Sequence, residues 1–230
     1  MNDFTTPFPA VAGLDAARRQ TFISRTYKHL LVAILGFAAV ETFFFRAGLA
    51  YPMAQAMLGV SWLLVIGGLM VAGWLFSGMA ARSESKAGQY AALAGYVVAE
   101  AIFFVPLLVI ADVSAPGAIG SAAVATLVGF AGLTLVAMYS GKDFTFLGSA
   151  LRWMGVSALV LIVCGVIFGF QLGTFFSVAM VVFAGLAILY ETSKVMNTYP
   201  EDRYVSAALA LFASVALLFW YVLRIFISRR

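Results

Sequence analysis

Residues 185–226 read GLAILYETSKVMNTYPEDRYVSAALALFASVALLFWYVLRIF: two apolar runs parted by a polar loop, with Glu191 where the first run ends and Ser214 in the middle of the second. A carboxylate at a membrane edge, beside a helix built largely of Ala and Ser, is costly unless something uses it. This pair of helices therefore reads as the working part of a membrane protein. The composition of the whole chain agrees. Of its 230 residues 63% are hydrophobic and only 10% charged, whereas a soluble domain carries about 25% charged residues. One soluble core could not hide that much apolar surface, so the solvent for most of the chain is lipid. The net charge of +4 does not point to nucleic acid, because a basic excess in a membrane protein reflects Lys and Arg held in cytoplasmic loops.

Working outward, runs long enough for a bilayer, about 20 residues, fall at roughly 30–47, 57–79, 88–111, 117–138, 149–170, 173–191 and 204–227. All connections are short, so the expected fold is an all-α, seven-helix transmembrane bundle forming one domain over residues 28–230. Residues 1–27, with Pro7, Pro9, Gly13 and then Arg18, Arg19 and Arg25, read as a loose tail tightening into a short basic helix. They lack the short apolar core of a cleavable signal peptide, so the first span is expected to serve as the address. With seven spans, the tail and the second, fourth and sixth loops share a side and hold ten of the fourteen basic residues, against Arg46 alone in the loops opposite. That bias puts the amino terminus in the cytoplasm. Arg224, Arg229 and Arg230 then face outward; a last segment folded as a hairpin would return them, but residues 204–227 are long enough for a full crossing.

Small residues mark where helices meet. Gly117, Ser121, Ala125 and Gly129 recur every fourth position, Gly165 and Gly169 form a GxxxG pair, and Ser206, Ala210 and Ser214 form a similar stripe in the last span. Ala207, Ala208, Ala213 and Ala216 make that span slim on several sides. A slim helix can be surrounded, so it is expected at the centre of the bundle.

Three glutamates stand in or at the ends of spans. Glu41 and Glu100 fall roughly 16 and 18 Å from the starts of their helices at about 1.5 Å per residue, near mid-depth. An ionised carboxylate there costs at least about 2.5 kcal/mol, so each must be protonated, paired or in contact with water. No Lys or Arg lies deep in any span, which points to protonation or an aqueous cavity and hence to a proton-sensitive or cation-attracting interior. The alternative for both is a hydrogen bond between helices with no further role. Pro106, near Glu100, removes an amide donor and frees the Ile102 carbonyl, so that an acid and a loose carbonyl share one helix. Glu191 faces the negative end of its helix dipole, which makes it a candidate pH-responsive group; otherwise it is a solvated residue paired with Lys194 or Arg203. The Ser214 hydroxyl most simply bonds back to the Ala210 carbonyl.

Enzyme signatures are missing: the sequence has no HExxH, GxSxG, P-loop or dinucleotide glycine motif. Cys164 and His29, each the sole residue of its type, cannot build a zinc site. No catalysis and no cofactor are expected.

Three stretches resemble the Bax inhibitor-1 family of membrane proteins: SGKDFTFLG (140–148), YETS (190–193, including Tyr190 and Thr192) and AALALFASVALLFWYVLRIF (207–226). The resemblance implies a seven-helix bundle with the last helix central. Members include calcium leak proteins gated by two aspartates that share a proton, one following the tyrosine of span six and one in span seven. Glu191 matches the first position conservatively; Ser214 occupies the second and cannot ionise, so the shared-proton device cannot operate in the same way. The serine-bearing pattern is similar to a bacterial branch that binds and restrains a membrane-anchored, ATP-dependent protease. A glutamate in span three is also familiar, and Glu100 corresponds to it, with Glu41 carried over beside it. Two expectations follow. One is a pH-sensitive leak in the bacterial inner membrane, with calcium or another cation as cargo. The other is a non-conducting modulator of that protease.

Overall fold

The computed structural model describes residues 9–229. Asp15 opens its first long helix: the carboxylate accepts the Arg18 N–H at 2.9 Å, an N-cap that satisfies one of the orphan amides of the first turn. Helix α1 (Ala16–Arg46) then runs unbroken for 31 residues. The basic helix expected ahead of the first span is thus continuous with it. A second, nine-residue helix, α2 (Ala50–Leu58), forms mostly where a short connection between the first two spans was expected, and it precedes α3 (Trp62–Arg82). Ser85 caps α4 (Lys86–Ser114) by accepting the Gly88 N–H at 3.1 Å. The chain continues through α5 (Ala118–Tyr139), α6 (Leu147–Phe168), α7 (Gly173–Asn197) and α8 (Tyr204–Ser228).

Seven of these helices, all but α2, are long and apolar enough to cross a membrane. The protein is an all-α, multi-pass membrane protein. Helix α8 is its hub, packing against α1, α3, α4, α5 and α7, and its buried residues lie on every face, from Val205, Ala207 and Ala208 to Trp220, Tyr221 and Leu223. It is a single helix of 25 residues, so the hairpin alternative for the last segment does not form.

Two small-residue motifs act differently from expectation. In α5 the buried residues are Ala118, Ala122, Thr126, Thr134 and Ala137, while Ser121 and Ala125 are exposed. Gly117 is not in the helix at all but precedes it at φ 82°. Small residues stand on neighbouring faces of α5, about 100° apart per residue, and spacing alone could not say which stripe packs. Gly169 likewise ends α6 at φ 72° and, with Gly173 at φ 63°, makes the tight turn into α7 by left-handed backbone; Gly165 is buried in α6, where a Cβ would stand 3.2 Å from the Phe170 carbonyl of that turn.

At the amino-terminal side, the 198–203 segment between α7 and α8 is held by three other parts of the chain. The Val11 N–H donates to the Tyr199 carbonyl at 3.0 Å, the Glu201 N–H to the Pro9 carbonyl at 3.4 Å, and Arg18 pairs with Glu201. From the α3–α4 turn, the Ser83 carbonyl accepts the Arg203 guanidinium at 2.6 Å, and Lys86 donates to the Asp202 carbonyl. Val11 is fully buried, so this strap is apolar at its centre and ionic at its edge.

Candidate functional site

Glu191 lies in the last two turns of α7, which extends to Asn197 and not to the expected end at 191. Those extra turns bring Lys194 onto the same face, three residues along. Its ammonium stands 3.1 Å from both Glu191 oxygens. The same ammonium lies 5.0 Å from the ring centre of Tyr190 and 5.2 Å from that of Tyr199, a geometry in which both ring faces attract it. The Tyr199 hydroxyl donates to Glu191 Oε2 at 3.5 Å. Tyr199 itself stands outside the spans, and burial, with the Glu191 carboxylate beside it, pushes its phenol well above the ordinary tyrosine range. Arg203, the other partner considered for Glu191, turns instead to Ser83 and Asp202.

Neighbouring helices close on this cluster. Gly148 at the start of α6 lets the Tyr190 ring lie against the backbone: a Cβ there would stand 2.8 Å from the ring. Fully buried Thr192 accepts the Tyr27 hydroxyl of α1 at 3.5 Å, and the Ser193 hydroxyl accepts the Phe144 N–H of the α5–α6 connection at 3.0 Å.

Glu191 and Ser214 line one cavity of about 480 Å³, walled on the α6 side by Gly148, Leu151 and Arg152. They share the space without bonding to each other: the Ser214 hydroxyl donates to the Ala210 carbonyl at 3.1 Å. A second, larger cavity of about 1200 Å³ lies between α3–α4 on one side and α6–α8 on the other, and Leu151 and Arg152 line it too. Glu100 and Pro106 face it from α4. Glu100 is 5% exposed, and the Tyr96 hydroxyl, one turn earlier, lies beside its carboxyl.

Glu41 stands apart. It is 7% exposed and lines neither cavity. Along α1 it falls between Phe37, which packs against Phe104, Phe212 and Phe219, and Phe45 beside Tyr51. Both its oxygens lack a hydrogen-bond partner among the described residues. The fold therefore gathers Glu191 and Ser214, sets Glu100 in an adjoining cavity, and leaves Glu41 buried outside both.

The family description "Inhibitor of apoptosis-promoting Bax1" matches the chain over residues 19–230. The chain belongs to the Bax inhibitor-1 family. No curated protein matches it. The family match spans all seven long helices, α1 from Arg19 onward. In this Bax inhibitor-1 chain, sequence reasoning missed Arg152 as a wall common to both cavities and Tyr199 as a partner of Glu191. Lys194 was visible through its three-residue spacing from Glu191. Tyr199 reaches the site only because the 198–203 segment folds back, which no local pattern announces.

Proposed function

We propose that this Bax inhibitor-1 family protein is a slow, pH-sensitive cation leak, with calcium as cargo. The observation that carries the reading is the pair of adjoining cavities flanking the central helix, one holding Glu191 with Ser214 and the other Glu100, with Leu151 and Arg152 as their common wall. A cation would enter beside Glu191, pass the wall that Leu151 and Arg152 give both cavities and move along the cavity that Glu100 faces. Carboxylates attract cations, and their protonation removes that attraction, so the leak would respond to pH. The positive charge of Arg152 on that common wall opposes cation entry, which fits a leak that is slow. The charge bias of the loops supports an inner-membrane orientation with the amino terminus in the cytoplasm. The test is reconstitution of the purified protein in liposomes with an internal calcium dye between pH 6 and 8. Calcium entry above empty vesicles, with its pH profile altered by Glu191→Gln, is expected; flux equal to empty vesicles removes the reading.

One observation favours the second reading, a non-conducting modulator of a membrane-anchored, ATP-dependent protease. Ser214 spends its hydroxyl on Ala210 and gives Glu191 no partner for sharing a proton. In that case the amino-terminal strap is the surface on offer to the protease. Co-purification with the protease, lost on removing residues 1–14, supports this reading, and unchanged protease turnover in cells lacking the protein counts against it.

A further inference from the structure

The larger cavity has two chemically different parts. Apart from Glu100 and Arg152, its trough is apolar and reaches the hub helix, with Phe103, Phe104, Leu217 and Trp220 in its walls. At the end away from the amino-terminal strap the lining turns polar: Gln171, Thr174, Arg224 and Ser228. Thr174 and Ser228 hydrogen-bond to each other at 3.2 Å across the mouth. Arg224 is half-buried, its guanidinium 5.9 Å from the centre of the Tyr221 ring, and it has no carboxylate partner among the described residues. The first turn of α7 opens onto the same end, and its N-cap, Leu172, supplies no side-chain acceptor.

We infer that this cleft is a binding site for one anionic phospholipid, its phosphate held by Arg224 with Thr174, Ser228 and Gln171, and an acyl chain lying in the trough against Trp220 and Phe103. Charge complementarity selects the occupant. An unpaired guanidinium among uncharged donors suits a phosphate diester, to which arginine offers two parallel N–H bonds. The depth of the trough distinguishes this lipid from those on the outer surface, because α6 packs mainly on α7 and leaves the space between α3 and α6 largely unfilled. A cleft of about 1200 Å³ exceeds the upper range of drug-sized pockets, near 1,000 Å³, as a long chain requires. The inference holds whether or not the protein conducts; a chain seated there would close the wide half of the proposed route, so occupancy and conduction are alternatives.

Native mass spectrometry of the detergent-solubilised protein, titrated with phosphatidylglycerol or phosphatidylcholine, tests it. Both lipids carry the phosphate diester, but phosphatidylcholine adds a quaternary ammonium that the Arg224 guanidinium repels, so the first phosphatidylglycerol is expected to bind about tenfold tighter. Arg224→Gln should abolish that preference. Gly155→Leu, which fills the trough where an added Cβ meets only the Phe183 ring at 3.6 Å, should weaken both lipids with the melting temperature kept. Arg46, exposed at the end of α1 and absent from the cavity lining, serves as a control, and Arg46→Gln should change neither. Equal retention of the two lipids by the unaltered protein, or a preference that survives Arg224→Gln, overturns the site. Displacement of phosphatidylglycerol by inorganic phosphate alone overturns it as well, because the polar end would then hold a free anion.

Discussion

Lys194 clamps Glu191 within one helix, its ammonium equidistant, at 3.1 Å, from the two carboxylate oxygens, while two tyrosine rings enclose the ammonium. The side chains are only 25% and 15% exposed, so solvent screens them less than a surface pair. Removing the cation alone strands a partly buried charge. Lys194→Met is therefore expected to cost about 1–2 kcal/mol, between the values for exposed and buried pairs. Glu191→Gln should cost less, and the double variant less than the sum. Thermal unfolding of the four proteins in one detergent measures the coupling, and strictly additive losses would show that the clamp contributes nothing.

Tyr199 carries an alkaline prediction. Its phenol is pushed up by burial first and by Glu191 second, whereas in the unfolded chain it titrates near 10. Below about pH 10 both states keep the proton, and the stabilisation is fully present. Above it the unfolded chain loses the proton and the folded one does not, so stability falls as pH rises through the alkaline range. Tyr199→Phe should flatten that part of the fall between about pH 10 and 11. Melting temperature against pH for both proteins is the measurement, and identical alkaline limbs would contradict the assignment.

Glu41 predicts a gain. A buried carboxyl with both oxygens unpartnered bears a desolvation cost that no hydrogen bond offsets, and replacing such a group by an apolar one of similar length removes the cost. Glu41→Met is expected to stabilise the protein by about 1–3 kcal/mol. A lower melting temperature would mean that the carboxyl has a partner in the membrane, such as water. If calcium flux is also unchanged, Glu41 lies off the proposed route.

These residues show how far the sequence could be read. The span count was legible because each crossing is a separate apolar run, and the central place of α8 because Ala207, Ala208, Ala213 and Ala216 make it slim on several sides. Helix α2 was not, since its nine residues are too few for a crossing and fell mostly in the connection between the runs 30–47 and 57–79. The packed face of α5 was not, since Gly117–Gly129 and Ala118–Thr126 carry small residues at the same four-residue spacing. For the site, a helix repeat sets Lys194 beside Glu191, and Ser214 was rightly turned toward Ala210. The cavity that Glu191 and Ser214 share depends on how α6, α7 and α8 meet, and the Tyr199 contact on a fold-back pinned by Val11, 188 positions earlier in the chain. Long-range packing of that kind leaves no local trace.

Ser214 supports the last prediction. It is 8% exposed, lines the cavity of Glu191, and sits about 15 Å into α8 by helical rise. Ser214→Asp would put a second carboxylate into a space of about 480 Å³ that already holds one. Two carboxylates that share a confined site do not ionise independently; one proton is retained between them. If the protein leaks calcium, this variant should acquire a steeper pH profile than the parent, and adding Glu191→Gln should remove the steepness. Ser214→Asn, of the same shape but unable to ionise, should leave the parental profile. Calcium-dye flux from pH 6 to 8 separates the cases. A variant with the parental profile would mean that the cavity lies off the route, whereas equal steepening by Ser214→Asn would trace the effect to side-chain size.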